Sequence, residues 1–247
     1  MKTFFTCLVG LALAATTQAQ TQTVTKDLPE FNKIVSSPLI DVILIKGEKE
    51  SVRIEYHNVT PDKINVVTKG KTLRLYLTDA QITDSKKEGN WKEATYWRRL
   101  YPGAHLRAYV TYRQLNYVEM RGQQDLTCND TLVAQKLKLK LYGENRVELA
   151  GLKARKLKVS LFGENRVDIY SGTAKAQKYN AFGENKVHAE KLLGETVKTS
   201  LFGETLMDLY ASERIRMTAF GESTVVNNGT GSLRKWITLG DNTLKRK

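Results

Sequence analysis

Apolar and polar residues alternate with a period of two along much of the chain. Residues 137–141 place a leucine at every second position with lysines between them, and residues 157–161 repeat the same apolar positions. A period of two is typical of β-strands that bury one face, whereas an amphipathic helix has a period of about 3.6. The pattern therefore predicts an all-β protein.

A short phrase of aromatic residue, glycine, acidic residue and polar residue recurs through the second half of the chain. Its glycines, with Gly122 opening the series and Gly240 closing it, stand 21, 20, 20, 20, 18 and 19 residues apart. Glycine suits a turn because it adopts strained backbone conformations without a Cβ clash. The glycines assigned to structural turns are Gly143, Gly163, Gly183, Gly203 and Gly221.

Each repeat is predicted to form one coil, made of a strand, a glycine turn, a second strand and a short return. A single coil cannot bury its own apolar face, so successive coils must stack at the inter-strand spacing of about 4.8 Å. The prediction is a parallel β-solenoid with coils of about 20 residues. Equivalent residues then form rows along the stack.

An aromatic row is predicted just before the turns, and we expect its members to pack in the core. Cys128 falls at a buried apolar position of the repeat and is expected to behave as a small buried hydrophobe rather than a reactive thiol. The aromatic row consists of Tyr142, Phe162, Phe182, Phe202 and Phe220.

Two charged rows are predicted on the outside. The basic row is Lys138, Lys158, Lys178, Lys198, Arg216 and Lys235, and the acidic row is Glu144, Glu164, Glu184, Glu204 and Glu222, continued by Asp241. Like charges about 5 Å apart repel, and the cations Arg146, Arg166 and Lys186 are expected to offset the glutamates in the first coils. A solvated surface with ion pairs is one interpretation of the acidic row. A calcium site held by Glu144, Glu164, Glu184 and Glu204 is the alternative.

The asparagines that follow the first glutamates, at positions 145, 165 and 185, are expected to form a structural ladder of side-chain hydrogen bonds.

The chain divides into four predicted parts. Residues 1–19 have the layout of a signal peptide, with Lys2 before an uncharged apolar stretch and small residues leading to cleavage after Ala19. Residues 27–82 carry hairpin-like β patterns, with turns at residues 46–48 and 69–71. Residues 83–104 interrupt the β rhythm, and residues 105–247 form the solenoid repeats. One continuous domain is expected for the exported part.

The interruption at residues 83–104 is rich in aromatic and basic side chains. One interpretation is a loop that caps an open end of the solenoid; a compatible one is a ligand surface that stacks on sugars and pairs with acidic groups. The candidate ligand-binding residues are Trp91, Tyr96, Trp97, Arg98, Arg99 and Tyr101.

The net charge of +13 at pH 7 favours anionic partners, or serves solubility alone. Anionic glycan, lipopolysaccharide and another envelope protein are the candidates, whereas export makes nucleic acid the least suitable. No segment approaches the roughly 20 apolar residues of a membrane span. Removal of residues 1–19 leaves Cys128 as the one cysteine, so neither an intrachain disulfide nor a cysteine-rich metal site is expected.

The order of these features resembles the auto-transporter adhesin, head GIN domain family of secreted Bacteroidetes proteins. The resemblance rests on residues 31–34, 42–47, 73–75 and 108–112 and on the glycine turns about 20 residues apart, and it covers roughly residues 30–225. It implies a right-handed β-helix-like solenoid and, by the family name, adhesion. The turns here read aromatic-Gly-Glu-Asn where the family has serine and glycine, so shared turn chemistry is not implied.

An enzyme is the rival class, because parallel β-helices also house polysaccharide lyases and hydrolases. Such enzymes need converging carboxylates or calcium ligands, whereas the acids here are spread along a repeated row. The histidines His57, His105 and His188 fit no metal-ligand spacing. We therefore expect a secreted β-solenoid binding protein without a cofactor. A structural role in the envelope is the remaining alternative, with self-association through an uncapped final coil near residues 236–239.

Overall fold

The computed structural model describes residues 21–80 and 94–247, and most of the described chain is β-strand. The strands are β1 (Gln22–Asp27), β2 (Lys33–Ser36), β3 (Ile40–Lys46), β4 (Ser51–His57), β5 (Ile64–Lys69), β6 (Thr72–Leu77), β7 (His105–Tyr112), β8 (Tyr117–Ile169), β9 (Gly172–Phe182), β10 (Asn185–His188), β11 (Leu192–Leu193), β12 (Thr196–Leu209), β13 (Arg214–Asn227), β14 (Ser232–Leu239) and β15 (Asn242–Arg246). The helices are a 3-10 turn at Pro61–Lys63 and α1 (Ala94–Leu100).

From β8 onward the chain winds in stacked parallel coils. β12 pairs with β9 on one side and with β13 on the other, and both pairings are parallel and keep repeat positions in register. β10 lies in the same way between β8 and β12. The 53 residues of β8 cover more than two coils of the repeat. The predicted parallel β-solenoid is thus confirmed.

The core is a continuous column of apolar side chains inside the coils. Leu137, Leu139 and Leu141 are buried, and so are their counterparts one coil later, as the period-two pattern predicts. Cys128 lies in this column and is fully buried, which confirms its predicted role as an apolar residue. Burial also raises the pKa of its thiol, so the thiolate is disfavoured.

The turn glycines adopt backbone angles and close contacts that other residues do not tolerate. Gly163 has a φ of +105°, and a Cβ at this position would lie 2.4 Å from the carbonyl oxygen of Gly143 in the preceding coil. Gly183 repeats the arrangement, with a φ of +97° and Gly163 O at 2.5 Å. Stacking itself therefore excludes a side chain at the turn, in addition to the dihedral preference.

The N-terminal strands begin the stack in a different order from the one predicted. β5 and β6 form the expected antiparallel hairpin around residues 69–71. The hairpin expected between β3 and β4 is wrong, because β7 lies between them, parallel to β3 and antiparallel to β4. Pairing with β7 sets Val42 opposite Ala108 and Leu44 opposite Val110, all four buried, so the core columns continue through this region.

The two ends of the stack differ. Helix α1 contacts β8 near the N-terminal end. At the other end, all eight residues of β14 are exposed, which agrees with the predicted uncapped final coil. No helix of the described residues is long and apolar enough to cross a membrane.

Candidate functional site

The strand before each turn presents the same outward trio of side chains in successive coils. We call this surface the triplet face; the four coils that end at Phe162, Phe182, Phe202 and Phe220 each contribute a cation, a small polar residue and an aromatic residue, as in Lys178, Asn180 and Phe182. The first coil has Lys140 at the middle position, and the last has Leu239 at the aromatic position. Parallel pairing places Lys178 opposite Lys158 and Lys198, and Phe182 opposite Phe162 and Phe202. The face is therefore built from three parallel rows, with the outer two about 13 Å apart.

The aromatic row lies at the surface, so the expectation of core packing is wrong. Phe182 and Phe202 are 39% and 38% exposed, and the other three rings are half-buried. Because period-two alternation continues to the turn, the residue before each glycine points outward, opposite the buried leucine column. Neighbouring rings stack with centroids 4.8–5.2 Å apart and planes within 8° of parallel.

The basic row runs from Lys138 to the last coil, with one correction. Arg234, and not Lys235, stands opposite Arg216, because the register shifts in β14 and leaves Trp236 as the extra residue. The crowding of cations is visible at Lys138, whose pKa is lowered by burial and then by Lys140 and Lys158. The row is a repeated positive charge without interleaved acids.

The strand after each turn carries the opposite charge. The described glutamates of the acidic row are exposed and form no ion pair within the described parts of the chain. The expected compensation is wrong: Arg146 pairs with Glu148 at 2.6 Å, and Arg166 pairs with Asp168 at 2.7 Å. The side chain two residues after each arginine lies on the same side of the strand as the arginine. Glu148 and Asp168 occupy these positions and form the ion pairs with the arginines.

Below the acidic row runs the predicted asparagine ladder. The amide nitrogen of Asn145 donates to Asn165 Oδ1 at 3.0 Å, and that of Asn165 donates to Asn185 Oδ1 at 3.1 Å. These side chains are buried, and their mutual hydrogen bonds satisfy most of their polar groups inside the stack. Asn145 Oδ1, at the start of the ladder, accepts no hydrogen bond from the described residues. The ladder is a structural feature.

A calcium site on the acidic row is not favoured by the grouping of ligands. Within residues 21–80 and 94–247, no three histidine, cysteine, aspartate or glutamate side chains are grouped so that they could hold a metal ion. Calcium requires six to eight oxygen ligands around one point. A row with one carboxylate per coil spreads its charge along the solenoid instead, and the calcium site stays a prediction.

A groove of about 1850 Å³ lies on the return side of the coils, and we call it the basic groove. Pairing stacks the lining residues Lys153, Thr173 and Leu193 in three successive coils, so the groove runs along the solenoid axis. The lining carries a single carboxylate, Glu195. Its cations are Lys46, Arg113, Lys136, Lys153, Arg155, Lys156 and Lys175.

Several of these cations are without a carboxylate partner. Arg113 pairs with Glu50 at 2.8 Å and Lys175 with Glu195 at 3.2 Å. Four others are exposed and form no ion pair with any described residue; they are Lys136, Lys153, Arg155 and Lys156. The groove is therefore a concave surface with an uncompensated positive charge.

The candidate residues of the insertion are only partly brought together. Arg98 and Tyr101 line a cavity of about 280 Å³ together with His105 and Asp41, whose side chains are 3.4 Å apart. The Tyr101 hydroxyl donates to the carbonyl oxygen of Thr78, and its pKa is raised, chiefly by burial. This bond ties the end of the insertion to the solenoid.

The other insertion residues do not join that cavity within the described chain. Tyr96 is half-buried and Arg99 is exposed, and both belong to α1. Trp97 also belongs to α1, but its side chain lies outside the described residues, and so does Trp91 altogether. The predicted signal peptide, residues 1–19, lies outside them as well.

The basic groove was missed by reasoning from the sequence, although a signal exists. Lys136 and Lys156 stand 20 residues apart, the length of one coil, and each comes directly before an alternating segment, 137–141 or 157–161. A buried ion pair was also missed: Glu119 and Arg121 occupy outward positions at the start of the triplet face, yet both are buried. Arg121 also lies 5.5 Å from the centre of the Tyr142 ring, at the end of the aromatic row.

Comparison with known proteins shows that the chain is similar in fold to solved structures of putative adhesins. A putative adhesin from Bacteroides fragilis matches with a TM-score of 0.72 and 22% identity, over 93% of this chain and 98% of that one. One from Parabacteroides distasonis matches with a TM-score of 0.67 and 13% identity, over 93% and 98%. No curated protein matches the chain in sequence. The model of one family matches residues 30–231, and the chain belongs to that family, "Putative auto-transporter adhesin, head GIN domain" (DUF2807).

Proposed function

We propose that the chain is an exported surface protein that binds an anionic glycan along the basic groove. The observation that carries the proposal is the concentration of unpaired cations in this groove, with one carboxylate in its lining. Sulfate, phosphate and carboxylate groups of a glycan are the complementary charges. The family name, which describes adhesins and not enzymes, supports a binding role.

The shape of the groove suits a linear polymer better than a small molecule. Its lining residues come from successive coils, which stack about 4.8 Å apart, so equivalent side chains repeat along its length. A polysaccharide with a charge on each repeating unit makes several weak contacts to such a row. Their sum gives affinity through multivalency, and it decreases as salt screens the charges.

Export is part of the proposal, since adhesion requires the protein to leave the cytoplasm. It is supported by the layout of residues 1–19, with a charged start, an apolar stretch and small residues before the cleavage position. Cys128, the single cysteine of the remaining chain, is buried and forms no disulfide with the described residues, which agrees with a fold that needs no disulfide in an oxidising compartment.

The insertion offers a second contact for the same ligand. Arg98 and Arg99 are exposed cations, and Trp91 and Trp97 are the two tryptophans of the insertion. Aromatic faces stack on sugar rings, while the arginines pair with acidic groups. We propose that the insertion binds the glycan together with the groove, and the following experiment separates the two contributions.

The test is an acidic-glycan array, probed with the full chain at low and moderate salt. The variant Lys136→Gln/Lys153→Gln/Lys156→Gln, which we call the groove triple, removes three exposed lysines without changing the core. We expect salt-sensitive binding by the parent chain and a loss of about tenfold or more in the groove triple, because each lost cation removes a charge-assisted contact.

Two further results decide the site. Trp91→Ala/Trp97→Ala weakens the same glycans if the insertion contributes, and leaves them unchanged if the groove acts alone. A parent chain that binds no acidic glycan, while circular dichroism shows it folded, contradicts the proposed function. Binding that survives in the groove triple contradicts the groove as its site.

A structural role in the envelope is the second candidate, and the open final coil favours it. β14 pairs with β13 on one edge and leaves its other edge without a strand partner in the described chain. Unpaired strand edges recruit further strands. Light scattering at increasing concentration tests self-association through this edge: a monomer at every concentration rules out assembly by β14.

A further inference from the structure

The triplet face is a flat surface that the proposed glycan groove leaves unused. From Lys138 to Leu239, its outward positions contain no aspartate or glutamate, whereas every described coil carries an acid on the other side of the turn. The cations Lys158, Lys178 and Lys198 are exposed. The face therefore combines a row of positive charge with a parallel row of apolar rings.

The rings of this face are poorly placed for stacking on sugars. Each ring of the aromatic row lies parallel to the next at about 5 Å, so the ring faces cover one another and the edges point to solvent. Trp236, at the end of the face, is 51% exposed, but the guanidinium of Arg216 lies 3.6 Å from its ring centre. Aromatic edges beside cations suit an interface at which apolar groups enter a layer of anionic headgroups.

The last coil enlarges the apolar part of the same surface. Leu239 stands opposite Phe220 at the end of the aromatic row and is 70% exposed, and Ile237 beside it is 52% exposed. Such contiguous exposed apolar side chains, rimmed by arginines and lysines, mark an interaction surface rather than scattered surface residues.

We propose that the triplet face docks the protein on a membrane surface rich in anionic lipids. The basic row contacts the phosphates, and the aromatic row with Trp236, Ile237 and Leu239 enters the headgroup layer. Charge complementarity selects this partner: lysines approach headgroup phosphates, and from Lys138 to Leu239 no outward carboxylate opposes them. The docking is peripheral, and it is independent of the glycan proposal because no residue of the triplet face lines the basic groove.

The first test measures binding of the full chain to vesicles of phosphatidylglycerol mixed with phosphatidylcholine, with pure phosphatidylcholine vesicles for comparison. The variant Lys158→Gln/Lys178→Gln/Lys198→Gln, the face triple, is expected to bind the anionic vesicles about a hundredfold more weakly. The groove triple removes the same charge from the same protein and is expected to keep this binding. Residues 1–19 are common to all variants, so differences between them report the two surfaces.

A second pair of variants tests the apolar row. Phe182→Ser/Phe202→Ser is expected to weaken vesicle binding about tenfold, because two exposed rings are lost from the contact. Leu206→Ser is the matched control, since Leu206 is 38% exposed on the acidic side of the turn. Thermal unfolding of each variant separates lost binding from lost folding.

A third measurement leaves the face unchanged. The background Trp91→Phe/Trp97→Phe keeps Trp236 as the single tryptophan of the chain. Anionic vesicles are expected to shift its fluorescence to shorter wavelength, because the indole leaves water.

The outcomes distinguish this proposal from the glycan proposal. Vesicle binding lost in the face triple and glycan binding lost in the groove triple support both. Equal loss of vesicle binding in both triples means that net charge alone acts and overturns the docking face. Glycan binding lost in the face triple with vesicle binding intact makes the triplet face a glycan surface instead, and an unshifted Trp236 spectrum with bound vesicles also overturns the proposal.

Discussion

The two strands that flank each turn glycine bury the same kind of column and present opposite surfaces. Before the turn, the outward side chains are cations, small polar residues and stacked aromatic rings; after it, they begin with an unpaired glutamate. One glycine with a positive φ separates the two sides in each coil. Packing of the core therefore does not determine which side chains face outward. The repeat places the same kinds of outward side chain in successive coils.

The comparison explains why the two charged rows are not compensated by each other. In a solenoid, residue equivalents lie about 4.8 Å apart along the stack, so the nearest neighbours of a charged residue are its own copies. On the acidic side, Arg146 and Arg166 turn to Glu148 and Asp168. The row of glutamates before them stays unpaired among the described residues. Uniform charge on each side is tolerated because it faces water.

The largest predicted effect is a loss of stability on substitution of a turn glycine, which joins the two sides. Gly163→Ala places a Cβ 2.4 Å from Gly143 O at a φ of +105°, so the stack must open locally. We expect the free energy of unfolding to fall by about 3 kcal/mol or more. Urea denaturation followed by circular dichroism measures it.

Gly70→Ala is the control for backbone conformation alone. Gly70 has a φ of +58° in the hairpin of β5 and β6, and no atom lies within 4 Å of a Cβ built there. Its loss is expected to be about 1 kcal/mol. Equal losses for the two variants would show that the dihedral angle, and not the stacked backbone, fixes glycine at the turns.

Much of this architecture could be predicted from the sequence, because several copies of the repeat support each structural assignment. The coil length, the buried leucines and the asparagine ladder all follow from alternation around the glycines. The position of the aromatic row was predicted wrongly for an energetic reason: stacked rings shield one another at the surface, so aromaticity does not by itself indicate a core position.

The candidate site was predicted less well, since its lining comes from several coils and from residues near the N-terminal strands. Lys136 and Lys156 recur at the coil length, but the sequence does not show that the surface is concave there. β7 enters between β3 and β4 through pairing of distant residues, which local alternation does not specify. The hairpin spacing of β3 and β4 is a local signal. The strands pair with β7 instead, which continues the buried columns of the core.

Charge reversal between the two sides leads to the second prediction, of intermediate size. Glu184→Gln and Lys178→Gln each remove one charge from the middle of a like-charged row. If repulsion within the rows dominates, both variants raise the free energy of unfolding, by about 0.5 kcal/mol at low salt. Added salt should abolish both gains.

Net charge alone predicts opposite signs for these two variants. With a net charge of +13, loss of a lysine reduces the overall repulsion, whereas loss of a glutamate increases it. Thermal unfolding of both variants across a salt series therefore distinguishes the two explanations. A gain for Lys178→Gln together with a loss for Glu184→Gln contradicts the idea that each row destabilises itself.

The smallest expected effect lies where the acidic side meets the N-terminal strands. The pKa of Asp125 is raised, first by burial and then by Asp41, whose Oδ1 accepts the backbone N–H of Asp125 at 3.0 Å. A raised native pKa means that folding favours the protonated acid. Its contribution to stability is fully present below the ordinary pKa of 3.8 and is lost as pH rises through the native value.

Asp125→Asn is therefore expected to stabilise the protein slightly at neutral pH and to leave it unchanged below pH 3.8. The amide keeps the shape of the side chain and the backbone hydrogen bond, so the difference reports ionisation. The free energy of unfolding, measured at both pH values, tests this expectation. Asp241→Asn is the control, because Asp241 is exposed and lies at the far end of the same side. A gain in stability that persists at low pH would show that packing, and not ionisation of Asp125, is the cause. The acids of this side would then destabilise the fold only by repulsion along their row.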